Sequence, residues 1–394
     1  MKILVVNAFF PPMTTGSSHF SFDMAREYVR QGHQVMVVTT QPENTLASDN
    51  IDGIHISRVP AKWIAPGKVS FNYRLPFCVR PSIFGRLNKI FKAFEPDVIH
   101  QNGQFFDLTL ATTLVARRRK IPRVLTVHTP LTHTNTFARL LISTIDRLVL
   151  RPFANTGKSR IFGVDRFTMD MVQRRYKPKT PVGFIPATLD VGAFGSGDPS
   201  RIIERFDLAG KKVILSFGHV IPIRSRIPLI RALPEILSKV PNAQVVVVGE
   251  VYDTTFQRIA EELGVSSHLT IVGRVPHVDV PDYLAAADIE THDLDGHGIG
   301  ITTFEVMAAG VPIVASVDND VFPGIDINQW PAVRIKSTLT TTQLANEVIQ
   351  LLNSSSSDIE EMQKQQMDFI VENFSVEVVA NQYAEVFNEL LRFE

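Results

Sequence analysis

The chain is poor in several things that would narrow its chemistry. Among 394 residues there is one cysteine, Cys78, which excludes an intramolecular disulfide and any cysteine-based zinc site and suits a reducing setting. Net charge is absent: 40 basic residues meet 40 acidic ones, so no global field draws in nucleic acid, and none is expected as a partner. No apolar run approaches the roughly 18 residues needed to cross a bilayer. The opening run "MKILVVNAFFPP" is too short for a signal segment, and a Pro-Pro pair ends it. The expectation is a cytoplasmic protein, at most peripheral on the cytoplasmic face of a membrane. No cofactor is expected. Asp293-Leu294-Asp295 has the form of a D-x-D metal motif, but no further cluster of metal ligands supports it, so no metal is expected either.

What the chain does have is length and alternation. A chain of 394 residues exceeds a single core, so two domains are expected. Apolar residues make up 44%, enough for ordinary globular packing. Continuous β-branched runs read as buried parallel strands: "KILVVN", "HQVMVVTT", "DVIHQN", "RVLTVHT" and "RIFGV". The amphipathic stretch "SHFSFDMAREYVRQG" lies between the first two. The rhythm restarts after residue 200 with "KKVILSFG", "AQVVVVGE", "LTIVGRV", "ADIETHD" and "VPIVASV", separated by helical stretches. The Gly/Ser/Pro-rich segment 191–200 reads as the linker. The fold class is therefore α/β, with two Rossmann-like domains whose parallel sheets are expected to face each other across a cleft. The domains are placed at 1–190 and 200–370, and a C-terminal helix at about 375–394 is expected to pack back on the first.

Charge is unevenly spread. Lys62, Lys68, Arg74, Arg80, Arg86, Lys89 and Lys92 interleave with Phe71, Tyr73, Phe77, Phe84 and Phe91. A second basic stretch runs through Arg117, Arg118, Arg119, Lys120, Arg123, Arg139, Arg147, Arg151, Lys158 and Arg160. Two readings are open: solvated helix faces, or a surface for an anionic membrane.

In open parallel sheets, ligands sit beyond the carboxyl ends of the strands, so the loops there carry the candidate site. "DGHGIGITTFEVMAAGVP" (295–312) places a glycine-rich loop before a helix. That order suits a phosphate held by backbone amides at a helix N-terminus, or simply a tight turn. Glu305 fits a capping box with Thr302, or a ligand contact. "SFGHVIPIRSR" offers His219 and Arg224 as phosphate partners, Gly16 precedes the first helix, and His128 ends a strand.

These segments together resemble the retaining glycosyltransferases of family four, which have the GT-B fold. "PPMTTG", "GHQVMVVTT", "PDVIH", "TVH", "IVGRV", "YLAAAD" and "HGIGITTFEVMAAGVPIV" follow that family's order across nearly the whole chain. His297 to Glu305 keeps the family's spacing without insertion. The resemblance implies a retaining sugar transfer from a nucleoside-diphosphate sugar, a substrate rather than a cofactor, to a lipid-linked or small-molecule acceptor bound by the first domain. It implies that Glu305 binds the donor ribose. It implies that the loop His297, Gly298, Ile299, Gly300 and Ile301 supports the diphosphate and sugar, and that Arg224, with Gly218 and His219, neutralises the leaving group. Gly273, Arg274 and Val275 would flank the base, Gly16 would approach the diphosphate, and His128 would lie near the sugar's hydroxymethyl end. The catalytic set so implied is His128, Arg224 and Glu305. The chain departs from the family at His297 (an acid there), at His219 (an arginine there) and at "ATLD" 187–190. Those departures keep two alternatives in view: a non-catalytic GT-B partner subunit, and a sugar-nucleotide epimerase.

Overall fold

A computed structural model describes all residues except 14, 65–73, 79, 105, 130–135, 223, 292–293, 295–300, 317–320, 327–332, 336–339 and 393–394, and except the side chains of 137–138 and 333–335. The chain divides into two compact units. Unit 1 comprises Met1–Thr188 and Val376–Glu394, and unit 2 comprises Leu189–Ser375.

Unit 1 runs β1 (Lys2–Asn7), α1 (Gly16–Arg30), β2 (Gln34–Gln41), β3 (Ser48–Ile51), β4 (Ile54–Pro60), β5 (Lys62–Ile64), β6 (Leu75–Phe77), α2 (Pro81–Phe94), β7 (Val98–Asn102), α3 (Asp107–Arg119), β8 (Arg123–Val127), α4 (Thr136–Ile145), α5 (Arg151–Ala154), β9 (Ser159–Gly163), α6 (Arg166–Tyr176) and β10 (Gly183–Phe184). Its eight-stranded sheet has the order β10-β9-β8-β7-β1-β2-β4-β3. Every pair is parallel except the β3–β4 hairpin. The hairpin turns at Asp52-Gly53, where φ is 52° and 79°. An Asp-Gly pair tolerates this left-handed geometry, which matches the twist of the flanking strands. The central strands are apolar because helices cover both faces of the sheet: Ile3, Val5 and Val37 pack on α1, whereas Leu4, Val6 and Ile99 pack on α2 and α3.

Unit 2 runs α7 (Ser200–Arg205), β11 (Lys212–Phe217), α8 (Ile227–Lys239), β12 (Ala243–Val248), α9 (Thr255–Glu262), β13 (Leu269–Gly273), α10 (Val280–Ala285), β14 (Ile289–Glu290), α11 (Ile301–Ala308), β15 (Val314–Ser316), β16 (Val333–Ile335), α12 (Thr341–Leu352) and α13 (Ser356–Phe374). β13-β12-β11-β14 form one parallel sheet, and β15 pairs with β16 in parallel. A parallel bridge between Glu290 and Ile313 joins the two sets. The combined order is the 3-2-1-4-5-6 of a dinucleotide-binding sheet. It reverses direction between β11 and β14, where such sheets open a crevice for ligands. β12 is buried along its whole length.

The last helix, α14 (Val376–Arg392), belongs to unit 1. Val379, Ala380, Tyr383, Phe387 and Leu390 join the core made by β1 and α1. Tyr383 also closes a buried polar chain. Its hydroxyl lies 2.7 Å from Thr126 Oγ1, which lies 2.9 Å from His100 Nε2, and His100 Nδ1 lies 3.1 Å from the Tyr28 hydroxyl. Burial lowers the His100 pKa to about 3, with His128 adding to the effect, so the ring is neutral.

Candidate functional site

In unit 2 the site is assembled from loops at the carboxyl ends of β11, β12 and β13. Each loop begins on a glycine with positive φ: Gly218 at 122°, Gly249 at 138° and Gly273 at 79°. A close approach requires glycine at 249, because a Cβ there would sit 2.3 Å from the Gly218 carbonyl oxygen. Backbone hydrogen bonds tie the three together. Gly218 N–H donates to Val248 O at 2.8 Å, and Gly249 N–H donates to Gly273 O at 2.8 Å. Beneath them lies Arg226, 1% exposed, whose guanidinium donates to Gly218 O at 2.8 Å and to Arg224 O at 2.9 Å. It fixes the "SFGHVIPIRSR" loop from inside. At the β11–β14 reversal, Glu290 is wholly buried, and its Oε1 accepts from Phe217 N–H at 3.1 Å.

Positive charge gathers at the mouth of these loops. Burial pushes the His219 pKa down, and the guanidinium groups of Arg274, Arg224 and Arg226 lower it further against an opposing pull from Glu250. His219 is therefore neutral near pH 7. Its Nδ1 accepts from Glu250 N–H at 3.2 Å, so its proton sits on Nε2, where it serves as a donor. The arginines carry the charge in this corner, and the histidine adds a neutral hydrogen bond.

Glu305 is 6% exposed on α11. The capping box expected from spacing is not what it makes. α11 begins at Ile301, so Thr302 lies inside the helix rather than at its N-cap. The Glu305 carboxylate instead meets His277 Nε2 at 3.1 Å. Sequence reasoning passed over His277. Nothing in "RVPHVDV" marks it as a partner of a residue 28 positions away. Its ring also stands edge-on to Phe194, with centroids 5.8 Å apart. α11 closes at Gly310, whose φ of 69° suits a glycine cap. His297, Gly298, Ile299 and Gly300 lie outside the described residues, as do Asp293 and Asp295 of the D-x-D motif.

In unit 1 the strand ends carry side chains. Asn7, at the end of β1, donates through Nδ2 to Ser17 O and Ser21 Oγ, both at 2.8 Å, and fastens the start of α1. That helix is capped by Thr15, whose Oγ1 accepts from Ser18 N–H at 3.2 Å. Gly16 is its first residue, and a Cβ there would meet nothing within 4 Å. His128 follows β8. Its Nε2 is 2.9 Å from Asn102 Oδ1, and its ring stands edge-on to Phe20 at 4.7 Å. Burial lowers its pKa to about 4. The neutral ring donates through Nε2 and keeps Nδ1 as an acceptor.

The basic and aromatic stretch 62–95 does not form one surface. Phe91 is 1% exposed in the core under α2, Phe84 packs on that core, and Arg86 donates to Arg58 O at 3.1 Å. Phe77 is exposed, and Lys68, Phe71 and Tyr73 lie outside the described residues.

Two family profiles match the chain, Glycosyltransferase Family 4 over residues 14–192 and Glycosyl transferases group 1 over residues 201–368. The GDP-mannose-dependent alpha-(1-6)-phosphatidylinositol monomannoside mannosyltransferase of Mycolicibacterium smegmatis is 31% identical over 43% of this chain, and the match spans about half (47%) of that relative's length. The enzyme of the same description from Mycobacterium tuberculosis is 23% identical over 80% of each chain. Among solved structures, Anabaena HepE in complex with UDP aligns with a TM-score of 0.71 and 17% identity over 99% of this chain and 100% of that one. This likeness carries the GT-B fold. The chain belongs to the family-four glycosyltransferases.

Proposed function

We infer that the protein transfers a sugar, with retention of anomeric configuration, from a nucleoside-diphosphate sugar to a lipid-linked acceptor. The observation that carries this is the corner of unit 2 where the loops of Gly218, Gly249 and Gly273 are joined by backbone hydrogen bonds and where Arg274 and Arg224 act on neutral His219. Glycines admit a diphosphate to the backbone, and guanidinium groups match its charge. Glu305, held by His277 Nε2, takes the two ribose hydroxyls. Gly273, Arg274 and Val275 flank the base through the main chain. His297 to Ile301 line the diphosphate and sugar, as in the family resemblance.

The chemistry is positioning and charge. As the bond from the anomeric carbon to the diphosphate oxygen breaks, negative charge grows on the leaving group. Arg224 and the His219 Nε2–H stabilise it. The departing oxygen takes the acceptor hydroxyl's proton while that hydroxyl oxygen bonds to the anomeric carbon, so no side-chain nucleophile is needed. Unit 1 holds the acceptor, and His128 Nδ1 accepts from a sugar hydroxyl. Gly16 keeps the role that the family resemblance gives it. The lipid-linked acceptor is supported by the mycobacterial relatives, whose names specify phosphatidylinositol mannosides. A family-four chain with Arg224 and Glu305 in place favours transfer over the partner-subunit and epimerase readings.

The test is direct. UDP, GDP, ADP and TDP are titrated by calorimetry, and the matching sugar nucleotides are then incubated with radiolabelled phosphatidylinositol or diacylglycerol. Nucleoside-diphosphate binding followed by label transfer supports the reading. Failure of every nucleoside diphosphate to bind removes it in favour of a partner subunit, and a sugar altered while still on its nucleotide favours an epimerase.

A further inference from the structure

The segment after β12, Glu250-Val251-Tyr252, continues the sheet as a rigid ladder. Val251 forms a parallel bridge with Val220, Val220 N–H donates to Glu250 O at 2.9 Å, and Tyr252 N–H donates to Val220 O at 2.9 Å. Side chains alternate along such a ladder, so Glu250 and Tyr252 leave it on the same side, opposite Val251. His219 faces both residues: its Nδ1 accepts the Glu250 N–H at 3.2 Å, and its ring stands edge-on to Tyr252 with centroids 5.9 Å apart. The Tyr252 ring is 54% exposed. Among the described residues the Glu250 carboxylate has no hydrogen-bond or salt-bridge partner. Asp253, the next acid, is engaged: its Oδ1 accepts from Thr255 N–H at 3.0 Å and from Thr255 Oγ1 at 2.6 Å, at the start of α9. Register places the free acid beside the base. Val248 pairs with Gly273, and Gly249 N–H donates to Gly273 O at 2.8 Å, so Glu250 comes next along from the Gly273–Val275 segment to which the proposed function gives the nucleobase.

We propose that Glu250 and Tyr252 read the donor's nucleobase, and that Glu250 selects guanine. A carboxylate offers only acceptors, and its two oxygens suit two parallel N–H donors. Guanine presents such a pair, N1–H and an N2 amino hydrogen, on one edge. Uracil and thymine present a single N3–H between two carbonyl oxygens, which a carboxylate repels. Adenine presents its amino group beside the N1 lone pair, which is repelled as well. Discrimination thus comes from what the wrong bases set against the carboxylate as much as from what guanine offers it. Tyr252 gives any base an aromatic face, so it adds affinity without choice. The inference deepens the proposed function and rests on it, since it names the base of the donor that the same corner would hold.

The experiment is calorimetry of the full chain with GDP, UDP, ADP and TDP, and with inorganic pyrophosphate as a ligand that has no base. The wild-type protein should bind GDP at least about tenfold tighter than the other three. Glu250→Gln should lower GDP affinity about tenfold and leave UDP affinity unchanged or raised, because the amide is uncharged and has one acceptor oxygen. Tyr252→Ala should lower all four affinities about fivefold or more. Neither variant should alter pyrophosphate binding or denaturant unfolding, because neither side chain belongs to the core. UDP, ADP or TDP bound as tightly as GDP by the wild type would overturn the selection of guanine and leave the proposed sugar transfer standing. A GDP preference that survives Glu250→Gln, or a pyrophosphate affinity that falls in step with that of GDP, would overturn the role of the carboxylate. Unchanged affinities in Tyr252→Ala would remove the tyrosine from the base site. Binding of no nucleoside diphosphate would remove the proposed function itself, and this inference with it.

Discussion

At the carboxyl ends of its strands, unit 1 presents Asn7, Asn102 and His128, whereas unit 2 presents Gly218, Gly249 and Gly273. The first set consists of side chains locked by hydrogen bonds. Asn7 ties down α1, and His128 is held by Asn102. The second set is backbone held to backbone, with Arg226 bracing it from below. A diphosphate needs many weak donors at close range, which only bare main chain can deliver. A hydroxyl needs one well-aimed acceptor, which an imidazole of lowered pKa provides at neutral pH. The contrast predicts that the same kind of change will have unequal consequences in the two units.

The sharpest test is glycine to alanine. Gly249→Ala forces a Cβ to 2.3 Å from the Gly218 carbonyl at a φ of 138°, so unit 2 should lose about 3 kcal/mol of stability together with nucleotide binding. Gly16→Ala meets nothing within 4 Å in a helical position, so its stability should stay within about 0.5 kcal/mol of wild type. Denaturant titration of both variants measures the difference. Equal losses would erase the contrast.

Acid should act mainly through unit 1. His100 has a folded pKa of about 3, below its ordinary value, so the folded state resists a proton that the unfolded chain accepts. The contribution of His100 is fully present above about pH 6.5. It declines by about 1.4 kcal/mol per pH unit as pH falls toward the folded pKa, or about 2 kcal/mol at pH 5. His128, with a folded pKa of about 4, adds a slope of the same sign. Stability measured from pH 7.5 to 5 should show this slope, and His100→Gln should flatten it. A slope unaltered by that substitution would place the acid sensitivity elsewhere.

A smaller effect separates holding a ligand from holding a helix. Glu305→Gln should lower nucleoside-diphosphate affinity about tenfold, or about 1.4 kcal/mol, while the melting temperature barely moves. His277→Ala should weaken the same affinity by about 0.5 kcal/mol, because His277 acts only by aiming the Glu305 carboxylate and is itself half exposed. Calorimetry and thermal melts on both variants provide the readings. Wild-type nucleotide affinity in Glu305→Gln would leave that carboxylate as a helix-packing residue.

These residues also mark where sequence reasoning ends. The parallel core strands were legible because burial on both faces leaves continuous apolar runs, and β1, β2, β7, β8, β11 and β12 fall within a residue or two of where those runs place them. The β3–β4 hairpin was missed although Asp52-Gly53 announces it, because "SDNIDGIHISRVP" mixes polar and apolar residues as an edge hairpin must. Thr302 and Glu305 have capping-box spacing. Whether they use it depends on where the helix begins, and one residue of shift converts a cap into an interior position. The pairing of Glu305 with His277, and the chain Tyr28–His100–Thr126–Tyr383, join residues 26 to 257 positions apart. No local pattern records such pairs. The aromatic residues between 62 and 95 mislead for a related reason, since composition does not reveal which face of α2 points inward.

The return of α14 to unit 1 bears on how the protein is made. Unit 2 interrupts unit 1 in the chain. The two crossings lie side by side, with Leu189 bridged to Ser375 and its N–H 3.4 Å from Phe374 O. A ribosome therefore delivers all of unit 2 before it delivers Tyr383 and Phe387, both 0% exposed in the core of unit 1. Unit 2 can complete its fold first, and the half that begins the sequence must wait, its β1–α1 surface uncovered, for the final helix. A nascent chain stalled before Val376 would present that apolar surface to chaperones even though every strand of both sheets had already been synthesised.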